Sequence, residues 1–197
     1  MCGSLKMKIK RKLAIFDLDG TLFDTKNVNY NAYCRALNEC GFRTNLDYDF
    51  YCKYCNGNHY SIFLPKIISN IREDELEKIH KLKKFFYKEF LHLAIRNEHL
   101  FSFIESIKED YYIALVTTAS YENTRDILQK FHSLNYFELL ITQEDVIKVK
   151  PAPEGFIKAM DKFDVLPENT IIFEDSDVGI EAAKLSGAKY IKVYGYN

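Results

Sequence analysis

The 197-residue sequence contains no tryptophan, no internal repeat and no low-complexity tract, and none of its apolar runs approaches the length of a membrane span. The basic stretch over residues 1–12 lacks the apolar segment of a secretory signal, so a cytoplasmic protein without a membrane partner is expected. Charge of one sign is not in excess either: 27 Lys and Arg stand against 28 Asp and Glu. That balance gives nucleic acid or an anionic surface no electrostatic hold. An even cysteine set is missing too. Cys2, Cys34, Cys40, Cys52 and Cys55 all fall in the first third, which fits reduced thiols better than a disulfide framework. Cys52 and Cys55 form a C-x-x-C pair, but Cys34 and Cys40 are spaced too widely for the usual second zinc pair.

What the sequence does have is a core-forming composition, 47% hydrophobic and 28% charged, sufficient for one domain or a domain with an insertion. Its 14 Tyr and 15 Phe read mostly as packing. Short apolar or β-branched runs at 13–17, 112–117, 139–142, 170–174 and 190–193 read as strands buried on both faces. Helical patterns lie between the later ones, with Pro153 near the start of one, Ser176 capping another and Gly187 ending it. Alternating strand and helix implies an α/β fold, an open parallel sheet with crossover helices. Residues 25–97 interrupt this rhythm: no strand is evident, and Leu76, Ile79, Leu82, Phe86, Phe90 and Leu93 share one helical face. The expected organisation is an α/β core from 1–24 and 98–197 with a helical cap over 25–97. Hinges are expected near Thr25 and Asn97, and Lys81, Lys83, Lys84 and Lys88 read as a solvated face.

In an open parallel sheet, ligands bind beyond the carboxyl ends of the strands. Asp17 and Asp19 follow the first strand, Thr117 and Thr118 the second, Lys150 the third, and Glu174 and Asp175 the fourth. Asp19-Gly20 alone is an ordinary turn pair, and Glu174-Asp175-Ser176 alone an ordinary helix start. Together they suit phosphoryl transfer. Asp17, Asp19 and Asp175 offer the hard oxygens that Mg²⁺ prefers, and Thr117, with Lys150, can hold phosphoryl oxygens. Asp17 and Asp19 are two residues apart, which in extended backbone points both the same way. One could then attack phosphorus while the other handles the leaving-group proton.

"DLDGT" from Asp17, "ALVTT" from Ala114, "KPAPEGF" from Lys150 and "IIFEDSDVGIEAAKLSGA" from Ile171 resemble the four motifs of the haloacid dehalogenase superfamily. The nearer resemblance is to its helical-cap branch, which includes phosphoglycolate phosphatases, sugar-phosphate phosphatases and β-phosphoglucomutase. It implies a Rossmann-like core and an aspartyl phosphate on Asp17. Asp19 would be the acid and base, with its main-chain carbonyl joining Asp17 and Asp175 around Mg²⁺. Thr117, Thr118 and Lys150 would grip the phosphoryl group, and Glu174 would order water near the metal. Dehalogenase members lack the aspartate that Asp19 supplies, so phosphate chemistry is implied. The expected substrate is a small phosphorylated metabolite selected by the cap near Asn58, His59 and Tyr60; nothing in the sequence indicates oligomeric state. A β-phosphoglucomutase-like phosphomutase is the alternative, disfavoured because Asn29 replaces that pattern's histidine and Tyr60 stands near its arginine. A receiver-type signalling module shares an Asp, Thr and Lys set. It lacks a helical insert and carries its phosphoacceptor on an internal strand.

Overall fold

A computed structural model describes residues 10–44 and 46–195, so Cys2 and most of the basic N-terminal stretch lie outside the described residues. In chain order the elements are β1 (Lys12–Phe16), β2 (Phe23–Asp24), α1 (Lys26–Glu39), α2 (Tyr48–Phe50), a wide turn Tyr51–Cys55 and α3 (Tyr60–Ile67). There follow α4 (Glu73–Phe86), a tighter helical stretch Tyr87–Leu93, β3 (Ile95–Arg96), α5 (Glu98–Ile107), β4 (Tyr111–Val116) and α6 (Tyr121–Lys130). The last are β5 (Leu139–Ile141), α7 (Glu154–Phe163), β6 (Thr170–Glu174), α8 (Asp177–Leu185) and β7 (Lys189–Lys192). These fall into two compact units, one comprising residues up to Asp17, Glu98–Thr118 and Asn135–Val193, the other Leu18–Asn97, Ala119–Leu134 and the residues from Tyr194.

The first unit holds the parallel sheet that the alternating pattern implies, in the order β5-β4-β1-β6-β7. Central β1 pairs on both edges, Ile15 lying opposite Ala114 on one side and Ile172 on the other. It is buried from Leu13 onward because helices cover both its faces. On one face Leu13 and Ile15 join Phe156, Ala159 and Met160 of α7 and Ala182 and Ala183 of α8. Elsewhere Phe16 stacks on Phe173 with centroids 4.6 Å apart, and Phe103 of α5 closes on Phe173 at 5.4 Å. Each fully buried large apolar side chain here, such as Leu13, Ile15, Phe16 or Phe156, contributes about 1.5–3 kcal/mol. Ser176 caps α8 by accepting from the Gly179 N–H at 3.1 Å. Gly187 then takes a positive φ of 77° beyond the helix end.

The second unit is built on a separate, aromatic core, with Tyr33 of α1 edge-on to Phe63 of α3 and Ile79 and Phe86 of α4 packed beside them. Acidic Glu73, Asp74 and Glu75 open α4, and Lys83 and Lys84 close it, as the helix dipole favours. Two expectations need correction. Residues 25–97 do contain a strand, β3, paired antiparallel with β2; two residues are too few to register as a period. Lys83 is no part of a solvated face: its ammonium lies over the rings of Tyr33 and Tyr87, 5.4 and 5.2 Å from their centroids. It sits four residues after Ile79 and four before Tyr87, on the buried phase of the helix. Among the described residues no helix is long and apolar enough to cross a membrane.

Candidate active site

The carboxyl edge of the sheet is drawn out one residue beyond the strands. Asp17 N–H donates to the Phe173 carbonyl at 3.0 Å, and Thr117 N–H to the Ile141 carbonyl at 2.9 Å. The ladder therefore fixes both backbones where their side chains are needed. Lys150 is the meeting point. Its Nζ donates to Asp17 Oδ1 at 2.5 Å, to the Val116 carbonyl at 3.0 Å and to Glu174 Oε1, tying β1, β4 and β6 together. The loop bearing Lys150 is held by Glu154, whose carboxylate accepts from the N–H groups of Ile147 and Lys148 at 2.9 and 2.8 Å. Lys158, together with those bonds, pulls the Glu154 carboxyl down to about 2. Thr117 is buried and Thr118 exposed, and both line a cleft with Lys150.

Carboxylate oxygens of Asp17, Glu174 and Asp175 lie within 4.8 Å of one another. Burial is the main cause holding the Asp17 carboxyl well above its ordinary range; Lys150 opposes this, and Glu174 and Asp175 add to it. Burial alone would lower Lys150, but Asp17 and Glu174 outweigh it and hold the ammonium charged. Three hard carboxylate groups this close together form a set that a divalent cation such as Mg²⁺ suits. Glu174 is otherwise committed, with Oε1 on Lys150 and Oε2 on the Ser176 N–H and hydroxyl. Asp17 and Asp175 are the other two carboxylates of this unit that could hold a cation. Gly179 makes the arrangement possible, since a Cβ there would lie 1.9 Å from Glu174 Oε1.

Asp19 belongs to the second unit, and its surroundings differ from the sequence expectation. The strand stops at Phe16 and a turn follows, in which the Leu22 and Phe23 N–H groups both reach the Leu18 carbonyl at 3.0 Å. Asp19 therefore lies in this turn, bridged to Phe23, and outside β1. Its Oδ1 accepts from the Thr25 hydroxyl. Its charge is felt by Lys83, which burial depresses to about 8 while Asp19 opposes the fall. The phenols of Tyr51 and Tyr87 are raised, chiefly by burial, with Asp19 contributing to each. Lys83 was legible only as a lysine on an apolar phase. Of the residues expected to set specificity, Asn58 Nδ2 donates to the Tyr54 carbonyl and His59 caps α3. Tyr60 lies against both His59, at 4.2 Å, and His80, at 4.0 Å.

A parallel α/β core carrying acidic residues and one buried lysine at its carboxyl edge defines a hydrolase-type enzyme site. Residues 14–193 match the haloacid dehalogenase-like hydrolase family, and the chain belongs to it. It is 28% identical over 193 residues to a phosphorylated carbohydrates phosphatase of Thermotoga maritima, covering 92% of this chain and 83% of that protein. It is 26% identical to a phosphoglycolate phosphatase of Aquifex aeolicus, covering 94% of this chain and 86% of the relative. The crystal structure of a predicted phosphoglycolate phosphatase from Haemophilus somnus superposes with a TM-score of 0.82 at 23% identity. That superposition covers 98% of this chain and 89% of the other.

Proposed function

We propose that this protein is a cytoplasmic, Mg²⁺-dependent phosphatase that hydrolyses a small phosphomonoester of the sugar-phosphate or phosphoglycolate type. The observation that carries it is the convergence of Asp17, Lys150, Glu174 and Asp175. The relatives named as phosphatases for carbohydrate phosphates and phosphoglycolate support the substrate class.

Asp17, Asp175 and the main-chain carbonyl of Asp19 are the proposed ligands of Mg²⁺, which when bound supplies positive charge against the phosphoryl oxygens. The Asp17 carboxylate attacks phosphorus and the ester P–O bond breaks, while Asp19 gives its proton to the departing oxygen. Asp19 then takes a proton from water, whose oxygen attacks the aspartyl phosphate; the bond between phosphorus and the Asp17 oxygen breaks and phosphate leaves. Lys150 and Thr117, with Thr118 at the cleft mouth, hold the phosphoryl oxygens as charge spreads over them. Glu174 keeps Lys150 in place and orders nearby water. Lys83, half-buried on the apolar phase of α4, is the cap cation best suited to an anionic or polyhydroxyl substrate, with Asn58, His59 and Tyr60 farther along the cap shaping specificity. The cap, residues 25–97, closes over the bound substrate to exclude bulk water.

Phosphate release is measured over a panel of phosphorylated metabolites with Mg²⁺ and with EDTA, for wild type and Asp17→Asn. Metal-dependent release, lost in the variant, is expected. Metal-independent turnover or an active Asp17→Asn protein contradicts the mechanism. With hexose 1-phosphate as substrate, hexose 6-phosphate in place of inorganic phosphate identifies a mutase.

A further inference from the structure

We infer that Asn56 is a self-modification site in the helical unit: the Gly57 nitrogen attacks its carboxamide, and the turn converts with time to aspartate and β-linked aspartate. Asn56-Gly57 is the only Asn-Gly pair in the sequence, and it directly precedes Asn58, His59 and Tyr60.

The pair forms the centre of a turn over residues 55–58, closed by the Asn58 N–H on the Cys55 carbonyl at 3.0 Å. Asn56 at φ −60° and ψ 132°, followed by Gly57 at φ 77°, matches a type II turn, in which glycine takes the second central place. The Asn56 N–H is held by the Tyr51 carbonyl at 2.9 Å. Neither bond uses the peptide that joins Asn56 to Gly57. Among the described residues, the Gly57 N–H and the Asn56 carboxamide have no hydrogen-bond partner. Turning that central peptide over exchanges a type II for a type I turn and leaves both flanking bonds in place. The same rotation, about the Asn56 Cα–C bond, carries the Gly57 nitrogen towards Asn56 Cγ. Gly57 is exposed, and a Cβ on it would meet nothing within 4 Å, so neither side chain nor neighbour hinders the approach. Asn58 provides the contrast: its Nδ2 donates to the Tyr54 carbonyl at 3.2 Å, and the bulkier His59 follows it.

As the Gly57 nitrogen bonds to Cγ, the carboxamide C–N bond breaks. The proton of the attacking nitrogen, passed through water, departs with the amide nitrogen as ammonia. Water then adds to one carbonyl of the five-membered imide and breaks its bond to nitrogen. Addition at Cγ leaves an ordinary aspartate; addition at the main-chain carbonyl leaves a β-linked residue, with one more carbon in the chain path. Either product places a negative charge three residues before His59. Resting on the proposed function, the consequence is that this charge opposes an anionic substrate where the cap shapes specificity.

The test incubates the folded full chain at neutral and at mildly alkaline pH. The tryptic peptide over residues 54–66, whose asparagines are Asn56 and Asn58, is then followed by mass spectrometry with fragmentation that separates the two linkages. A gain of about 1 Da at Asn56 is expected, in both linkages and faster at the higher pH, with Asn58 unchanged. Asn56→Gln, which must close a six-membered ring, and Gly57→Ala, which crowds the attacking nitrogen, should each slow the gain at residue 56 by roughly tenfold. Mass and linkage report the site whether or not the proposed phosphatase activity holds. An Asn56 that keeps its mass in the folded protein, or equal gains at Asn56 and Asn58, overturns the inference.

Discussion

Single residues carry the chemistry here through opposing electrostatic demands that burial makes acute. Lys150 is the clearest case, its side chain 6% exposed between Asp17 at 9% and Glu174 at 1%. Removing the ammonium leaves two buried carboxylates facing each other. Lys150→Met should cost about 3–5 kcal/mol of stability in metal-free protein, measured by urea unfolding, and abolish phosphatase activity. Lys83 yields a pH prediction. Its ammonium is present below about 8 and lost above, so KM for an anionic substrate should rise as pH passes that value. Lys83→Met should raise KM roughly tenfold at neutral pH and flatten that dependence in steady-state assays. Because burial lowers the folded value, the unfolded chain binds more protons between about 8 and the ordinary lysine range. The Lys83 contribution to stability therefore improves as pH rises through that window.

At the scale of elements, each functional group is aimed by a local rule, and those rules differ in how plainly the sequence displays them. β1, β4 and β6 were legible because a strand buried on both faces is a short apolar run, and each run ends at a chemically distinctive residue. The start of α8 was legible from Ser176. β2 and β3 were not, being two residues each and held by pairing rather than by pattern. Nor was the turn closed on the Leu18 carbonyl, within which Asp19 lies. Thr25 shows the same limit: the sequence marks it only as an expected hinge, while the fold gives its hydroxyl to Asp19. Lys83 hides within a run of lysines and is separated from them only by its phase relative to Ile79 and Tyr87. The approach of α8 to Glu174 gives an element-level prediction. Gly179→Ala forces the carboxylate away from Lys150, and should destabilise the protein by roughly 2–4 kcal/mol in thermal or denaturant unfolding while cutting activity. Ser176→Ala, which removes one cap and one partner of Glu174, should cost about 1 kcal/mol.

Over the whole molecule, the sheet unit and the helical unit divide the proposed work. The first carries the proposed nucleophile, carboxylate ligands of the cation and phosphoryl grip; the second carries the proposed acid–base group with its main-chain carbonyl ligand and the proposed specificity residues. The carboxylate cluster of Asp17, Glu174 and Asp175 predicts that Mg²⁺ raises the melting temperature of the wild type, in scanning calorimetry, more than that of Asp175→Asn. The account depends most on Asp17 becoming phosphorylated. Acid quenching during turnover, borohydride reduction and peptide mass spectrometry locate an acyl phosphate as a reduced residue. The account predicts conversion of Asp17 to homoserine, dependent on substrate and absent in Asp17→Asn. A protein that releases phosphate at full rate with Asp17 unmodified throughout, or with the reduced residue elsewhere in the chain, would contradict it.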